Sequence, residues 1–73
     1  MDFFDEIRAF TLCNPCRGLA NGNVGAALDL VKKSLRETGG IPQGQQMALA
    51  MVMRLVKNDG CSGCARKWSE IMD

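Results

Sequence analysis

The chain has 73 residues, which predicts one domain over residues 1–73 with too small a core to be very stable by itself. The hydrophobic content of 47% argues against disorder, and the net charge of +1 provides no strong field for non-specific nucleic-acid binding. Histidine is absent, so the commonest general acid–base residue is missing and we expect no enzyme activity, thiol redox chemistry excepted.

The first predicted helix begins after Asp2, a suitable N-cap, and ends near Leu12. It ends there because Asn14 precedes Pro15, and a residue before proline disfavours the helical conformation. Apolar side chains recur along this helix at helical spacing: Phe3, Phe4, Ile7 and Phe10.

The second predicted helix follows a turn-rich stretch over residues 18–23. Asn23 is its predicted N-cap, and the helix runs to about Thr38. Gly39 and Gly40 end it, because glycine adopts the left-handed conformation of a helix C-cap. One apolar stripe lies along it: Val24, Ala27, Leu28, Val31 and Leu35.

The third predicted helix has Pro42 at its first position and stops at Asn58-Asp59-Gly60. Only Arg54 interrupts the apolar residues from Met47 to Val56, so this helix is expected to be the central, buried one, with Met47, Met51 and Met53 filling the core. A short fourth helix is predicted to begin at Cys64, with Trp68 in the core. No strand pattern is visible, and the expected fold is an all-α domain of four helices.

Two Cys-x-x-Cys motifs, Cys13/Cys16 and Cys61/Cys64, flank the second and third helices. A short turn joins these helices into an antiparallel hairpin, whose two ends then lie together and bring the motifs together. Four cysteines at this spacing predict one structural zinc ion that closes the hairpin. Arg17, Arg66 and Lys67 lie close to the motifs in sequence and are expected to offset the thiolate charge.

Three other uses of the cysteines compete with zinc. Four thiolates also bind an iron or iron–sulfur centre. Cys61 and Cys64 at a helix start suit a dithiol redox protein, although thioredoxin-like enzymes place this motif in a βαβ unit. Two interhelical disulfides are the third alternative, which an oxidising compartment would favour.

Two surfaces are candidates for binding a partner. Lys32, Lys33 and Arg36 form a small basic face that would contact phosphate, although a solvated helix face is the more ordinary interpretation. Phe3 and Phe4 would dock the first helix on a partner, although packing within the domain is favoured. A nucleic-acid partner is therefore weakly supported, and a protein partner is the stronger prediction.

The N-terminal sequence lacks the basic and apolar regions of a secretory signal, and the longest apolar run is too short to span a bilayer. We therefore expect a cytoplasmic protein with no membrane partner, and no residue pattern indicates a small-molecule substrate. The predicted function is a non-catalytic zinc-binding interaction module, a small adaptor or inhibitor. Many small zinc proteins act in gene regulation, and that association suggests such a setting.

Overall fold

The computed structural model describes residues 2–72, which form five α-helices and contain no β-strand. The helices are α1 (Phe3–Ala9), α2 (Asn14–Arg17), α3 (Asn23–Thr38), α4 (Gln43–Asp59) and α5 (Ser62–Met72). The predicted all-α class is confirmed. The prediction of four helices is wrong by one, because the first Cys-x-x-Cys motif itself forms the short helix α2.

Helix α1 begins as predicted and ends earlier than predicted. The Asp2 carboxylate accepts a hydrogen bond from the Asp5 backbone N–H at 2.8 Å, so Asp2 caps the helix. The helix ends at Ala9 rather than near Leu12, and Phe10 is extended. The extended backbone lets both Phe10 and Leu12 reach the core, where they are 5% and 2% exposed.

Helix α3 lies between two glycines in the left-handed conformation. Gly22, with a φ of 85°, is the N-cap, and the predicted cap Asn23 is instead the first helical residue. Gly39, with a φ of 74°, ends the helix as predicted, and its N–H donates to the Leu35 carbonyl at 3.0 Å. The left-handed region favours glycine, so these two positions fix where the helix begins and ends.

Helices α4 and α5 both start at positions that differ from the prediction. Pro42 is the N-cap of α4 and precedes its first turn instead of occupying the first helical position. Helix α5 begins at Ser62 rather than at Cys64. The earlier start follows from a hydrogen bond of 2.9 Å from the Ala65 N–H to the Cys61 carbonyl, which makes Cys61 the residue that opens the helix.

The central helix is α3, not α4 as the sequence predicted. Helix α3 packs against α1, α2 and α4. Helix α4 buries only Val52 and Val56 completely, whereas Met47 is 80% and Met51 is 37% exposed. The predicted core role of these two methionines is therefore wrong, because α3 and α5 leave the other side of α4 uncovered. The buried residues of α3 are Val24, Gly25, Ala27, Leu28, Val31, Ser34 and Leu35.

Trp68 of α5 lies in the core, as predicted. It is fully buried, and its ring lies 4.8 Å from that of Phe10, centroid to centroid. The same hydrophobic cluster contains the buried cysteines Cys16 and Cys64. The largest aromatic side chain thus joins α5 to the residues that precede α2. Within residues 2–72, no helix has the length and apolar content needed to cross a membrane.

Candidate metal centre

The two Cys-x-x-Cys motifs have the same local structure. Cys13 immediately precedes α2 and Cys61 immediately precedes α5, while Cys16 and Cys64 lie in the first turn of those helices. Residues three positions apart at a helix start lie on the same side. Each motif therefore presents two sulfurs in one direction.

The structure brings the four sulfurs together within 4.8 Å of one another. The Cys13 sulfur lies 3.7 Å from that of Cys61 and 3.6 Å from that of Cys64. Four thiolates around a zinc ion at ~2.3 Å would be separated by ~3.8 Å, the edge of the tetrahedron. A disulfide requires ~2.05 Å, and all four cysteines are free. The spacing fits a tetrahedral metal site and does not fit two disulfides.

The site has a buried side and an exposed side. Cys16 and Cys64 are 1% and 7% exposed and belong to the hydrophobic core. Cys13 and Cys61 are exposed. A metal ion bound by all four would sit at the edge of the core, where it links α2 to α5 while two of its ligands remain accessible from solution.

Backbone N–H groups point at two of the sulfurs. The Cys61 N–H donates to the Cys16 sulfur at 3.2 Å, and the Cys64 N–H donates to the Cys61 sulfur at 3.3 Å. Such hydrogen bonds stabilise thiolates and fix the orientation of metal ligands. The second bond also caps α5, because the sulfur of the residue before the helix accepts an N–H from its first turn.

Hydrogen bonds and burial give three of the cysteines different pKa values. The N–H of Cys64 and contacts with the other thiols lower the pKa of Cys61 to about 7. The Cys61 N–H lowers the pKa of Cys16, but burial and the neighbouring thiols outweigh it and raise that pKa to about 12. The pKa of Cys64 is also raised, because burial and the Cys61 and Cys13 thiols outweigh a backbone hydrogen bond. The Cys61 thiol thus ionises before the buried thiols of Cys16 and Cys64.

Basic side chains near the motifs only partly follow the prediction. Arg17 donates to the Asp29 carboxylate of α3 at 2.8 Å, so this guanidinium ties α2 to α3 through an ion pair. Arg66 and Lys67 are exposed on α5. If all four cysteines bound a metal ion as thiolates, their charge would therefore be offset chiefly by that ion and by the backbone N–H groups at the start of α5.

The residues predicted to bind a partner differ in solvent exposure and in their contacts within the domain. Lys32 is half-buried and donates to the Phe10 carbonyl, which caps the end of α1, and its burial lowers its pKa. Lys33 and Arg36 are exposed. Phe4 packs against the cluster of Ile7, Val31 and Leu35, whereas Phe3 is 38% exposed. The basic face is thus reduced to two residues, and one of the two phenylalanines belongs to the core.

The outer face of α4 is a surface that the sequence prediction assigned to the core. A shallow depression there is lined by Met47, Ala50, Met51, Arg54, Leu55, Asn58 and Asp59. The signal was present in the sequence, because Arg54 is the only charged residue within the apolar run from Met47 to Val56. We call this surface the α4 stripe.

Comparison of the chain with protein-family models, with curated proteins and with solved structures found no match. The site and the surfaces described above therefore carry the functional argument.

Proposed function

We propose that the chain is a small, non-catalytic zinc-binding interaction module, which uses one structural zinc ion to hold its helices and binds a protein partner. The observation that supports it is the cluster of four free sulfurs, two of whose separations match a tetrahedral thiolate site. In this proposal α3 and α4 form an antiparallel hairpin, and the zinc ion closes its open end by joining α2 to α5.

A structural role follows from the coordination number. Four thiolates fill all the positions of a tetrahedral zinc ion, so no position remains for a substrate or an activated water. Metal binding would also contribute folding free energy, which supplements the small hydrophobic core of a 73-residue chain. Iron is the competing metal, because it accepts the same four ligands.

Metal analysis tests this proposal. Protein purified under reducing conditions is expected to contain one zinc per chain, and a strong chelator is expected to reduce its helicity. Iron would be identified by its visible absorption. The Cys16→Ser variant should lose the metal, whereas Ser62→Ala, in the same site region but without a sulfur, should keep it. A metal-free protein with full helicity would contradict the proposal.

A dithiol redox protein is the second candidate, and one observation favours it. Cys61 is exposed, and its pKa is lowered to about 7, which suits an attacking thiolate. Reduction of a disulfide substrate separates the two functions: a redox protein should be active as isolated and inactive as Cys61→Ser. The zinc module should show no activity until its metal is removed.

We propose that the module acts as a small adaptor or inhibitor in gene regulation. Direct nucleic-acid binding has less support, because the Lys32 ammonium already donates to the Phe10 carbonyl. A protein partner therefore remains the stronger proposal.

A further inference from the structure

Within residues 2–72, the α4 stripe is an apolar surface that the other helices leave uncovered. Met47 is 80% exposed and Met51 is 37% exposed, and they lie one helical turn apart. The depression over the stripe has a volume of about 590 Å³. From Met47 to Asp59 the stripe is ~18 Å long at 1.5 Å per residue, which is the length of three turns of a partner helix.

The side chains of the stripe suit a helix better than a flat surface. They recur at intervals of three and four residues, which is the spacing by which one helix packs along another. Methionine is unbranched and polarizable, so two methionines adapt to apolar side chains of different shape. The stripe thus offers adaptable apolar contact at one end.

Charge restricts which side chains can cover the middle of the stripe. Arg54 is exposed in the middle of the stripe and forms no ion pair with any residue in the described range 2–72. Asp59 lies at the end of the stripe, five positions further on, or ~7.5 Å along the axis. A partner therefore gains most from a carboxylate opposite Arg54, next to apolar side chains over the methionines.

A second copy of this chain does not meet that requirement. In an antiparallel pair centred on the stripe, the two Arg54 side chains would lie only ~3 Å apart along the axis. In a parallel pair they would face each other directly. The antiparallel register that pairs Arg54 with Asp59 of the second copy moves Met47 beyond the end of that copy's α4, where its apolar surface stays uncovered.

We propose that the α4 stripe binds an amphipathic helix of a partner protein, which places apolar side chains over Met47 and Met51 and a carboxylate opposite Arg54. This inference rests on the proposed function as a protein-binding module and names the surface and the chemistry of the partner. The zinc site lies on the other elements, at the starts of α2 and α5, so the stripe and the metal are tested separately.

Two designed helical peptides serve as probes for the zinc-loaded full chain. Each has about 16 residues, long enough to be stabilised as a helix, with leucines at helical spacing and a central residue that is Glu in one and Lys in the other. We expect the Glu peptide to bind about tenfold more tightly than the Lys peptide, and its binding to shift the methyl NMR signals of Met47 and Met51. The Arg54→Glu variant should reverse the preference.

Matched controls make the result specific. Lys57→Glu makes the same charge change on the same helix outside the stripe, and should leave the preference unchanged. Met47→Glu should abolish binding, whereas Leu30→Glu, also at an exposed position, should not. Each variant is checked for zinc content and helicity. A chain that binds no zinc would contradict the proposed function itself, and this outcome is distinguishable from a failure of the α4 stripe to bind the peptides.

The proposal is overturned if the two peptides bind equally, if neither binds, or if Arg54→Glu leaves their order unchanged. It is also overturned if sedimentation shows a dimer that Met47→Glu dissociates, because the stripe would then be covered by a second copy.

Discussion

The sulfur of Cys13 lies 3.7 Å from the sulfur of Cys61, although 48 positions separate the two residues in the chain. Helices α3 and α4 lie between them in sequence, so this contact exists only when both helices and their connecting turn are correctly packed. Closing such a long loop costs conformational entropy that a metal ion or a covalent bond offsets. The proximity of these sulfurs therefore reports on the whole fold.

Oxidation of the zinc-loaded protein is expected to join the two motifs to each other. A peroxide takes two electrons from two thiolates, a disulfide forms, and the zinc ion is released. Cys13 is exposed and its sulfur is within 3.7 Å of both Cys61 and Cys64. Limiting peroxide should therefore yield a cross-link from Cys13 to the second motif, detected by mass spectrometry of the digested chain.

The unfolded chain provides the control for this experiment. In denaturant the short loops of the two Cys-x-x-Cys motifs close more readily than the long loop between them. Oxidation there should give Cys13–Cys16 and Cys61–Cys64 disulfides. If the folded protein gave only these products, the expected cross-link from Cys13 to the second motif would be contradicted.

Zinc affinity is expected to rise with pH. Zinc binds thiolates, and the pKa values of Cys61 and Cys16, about 7 and about 12, show that only the first is partly ionised near neutral pH. Binding must displace protons, from Cys16 and Cys64 among others, because both have raised pKa values. Affinity therefore increases from pH 6 to pH 9, and zinc is lost on acidification. Calorimetry in buffers of different ionisation enthalpy measures the protons released; a pH-independent affinity would contradict a thiolate site.

Cys61 and Cys16 should also differ in what they contribute to the site. The folded chain already favours the Cys61 thiolate, which raises zinc affinity, and disfavours the Cys16 thiolate, which lowers it. The Cys61→Ser variant is therefore expected to keep most of the pH dependence, since it removes a thiol that gives up fewer protons than Cys16 or Cys64. Proton release measured for this variant should stay close to that of the unchanged chain.

The convergence of the cysteines was predictable from the sequence because it depends on local signals. Gly39 ends α3 where the left-handed conformation is needed, and a short connection to α4 brings the chain back. Both motifs then lie at the same end whatever the details of packing. The same reasoning located the Asp2 cap and the core position of Trp68, since a single residue type decides each of them.

The central helix was not predictable in the same way. The run from Met47 to Val56 looks more apolar than α3, yet α3 is the helix covered on most sides. Coverage depends on which neighbours dock, and α1 packs on α3 and not on the outer face of α4. Helix α2 was missed because Asn14 and Pro15 were interpreted only as the end of the first helix, while Pro15 is also compatible with the first turn of a new helix.

Gly60, which precedes the second motif, and Gly63, which lies within it, are expected to respond oppositely to alanine. A Cβ on Gly60 would lie 2.6 Å from the Val56 carbonyl oxygen, so Gly60→Ala must shift the chain just before Cys61. We expect it to destabilise the fold by about 1–3 kcal/mol and to weaken zinc binding. Gly63 has nothing within 4 Å of such a Cβ and lies in α5, so Gly63→Ala should be neutral or stabilise by up to about 1 kcal/mol.

Chemical denaturation of the zinc-loaded variants measures both effects, and zinc competition measures the second. Equal behaviour of Gly60→Ala and Gly63→Ala would show that the close approach of Gly60 to Val56 does not position the site.

Trp68 is expected to be the most sensitive core position outside the cysteines. It is fully buried against Phe10, and truncating such a side chain costs about 3–5 kcal/mol, which approaches the whole unfolding free energy of a chain this small. Its Nε1 is buried with no hydrogen-bond partner among residues 2–72. Trp68→Phe removes that unpaired N–H, which offsets part of the lost packing, so its cost should stay within about 1.5 kcal/mol.

Thermal unfolding of the zinc-loaded protein distinguishes the two substitutions. Trp68→Ala should lose cooperative unfolding or nearly so, while Trp68→Phe retains it; Phe3→Ala, at a 38% exposed aromatic, should change little and serves as the control. A Trp68→Phe variant as unstable as Trp68→Ala would mean that the indole N–H has a partner after all.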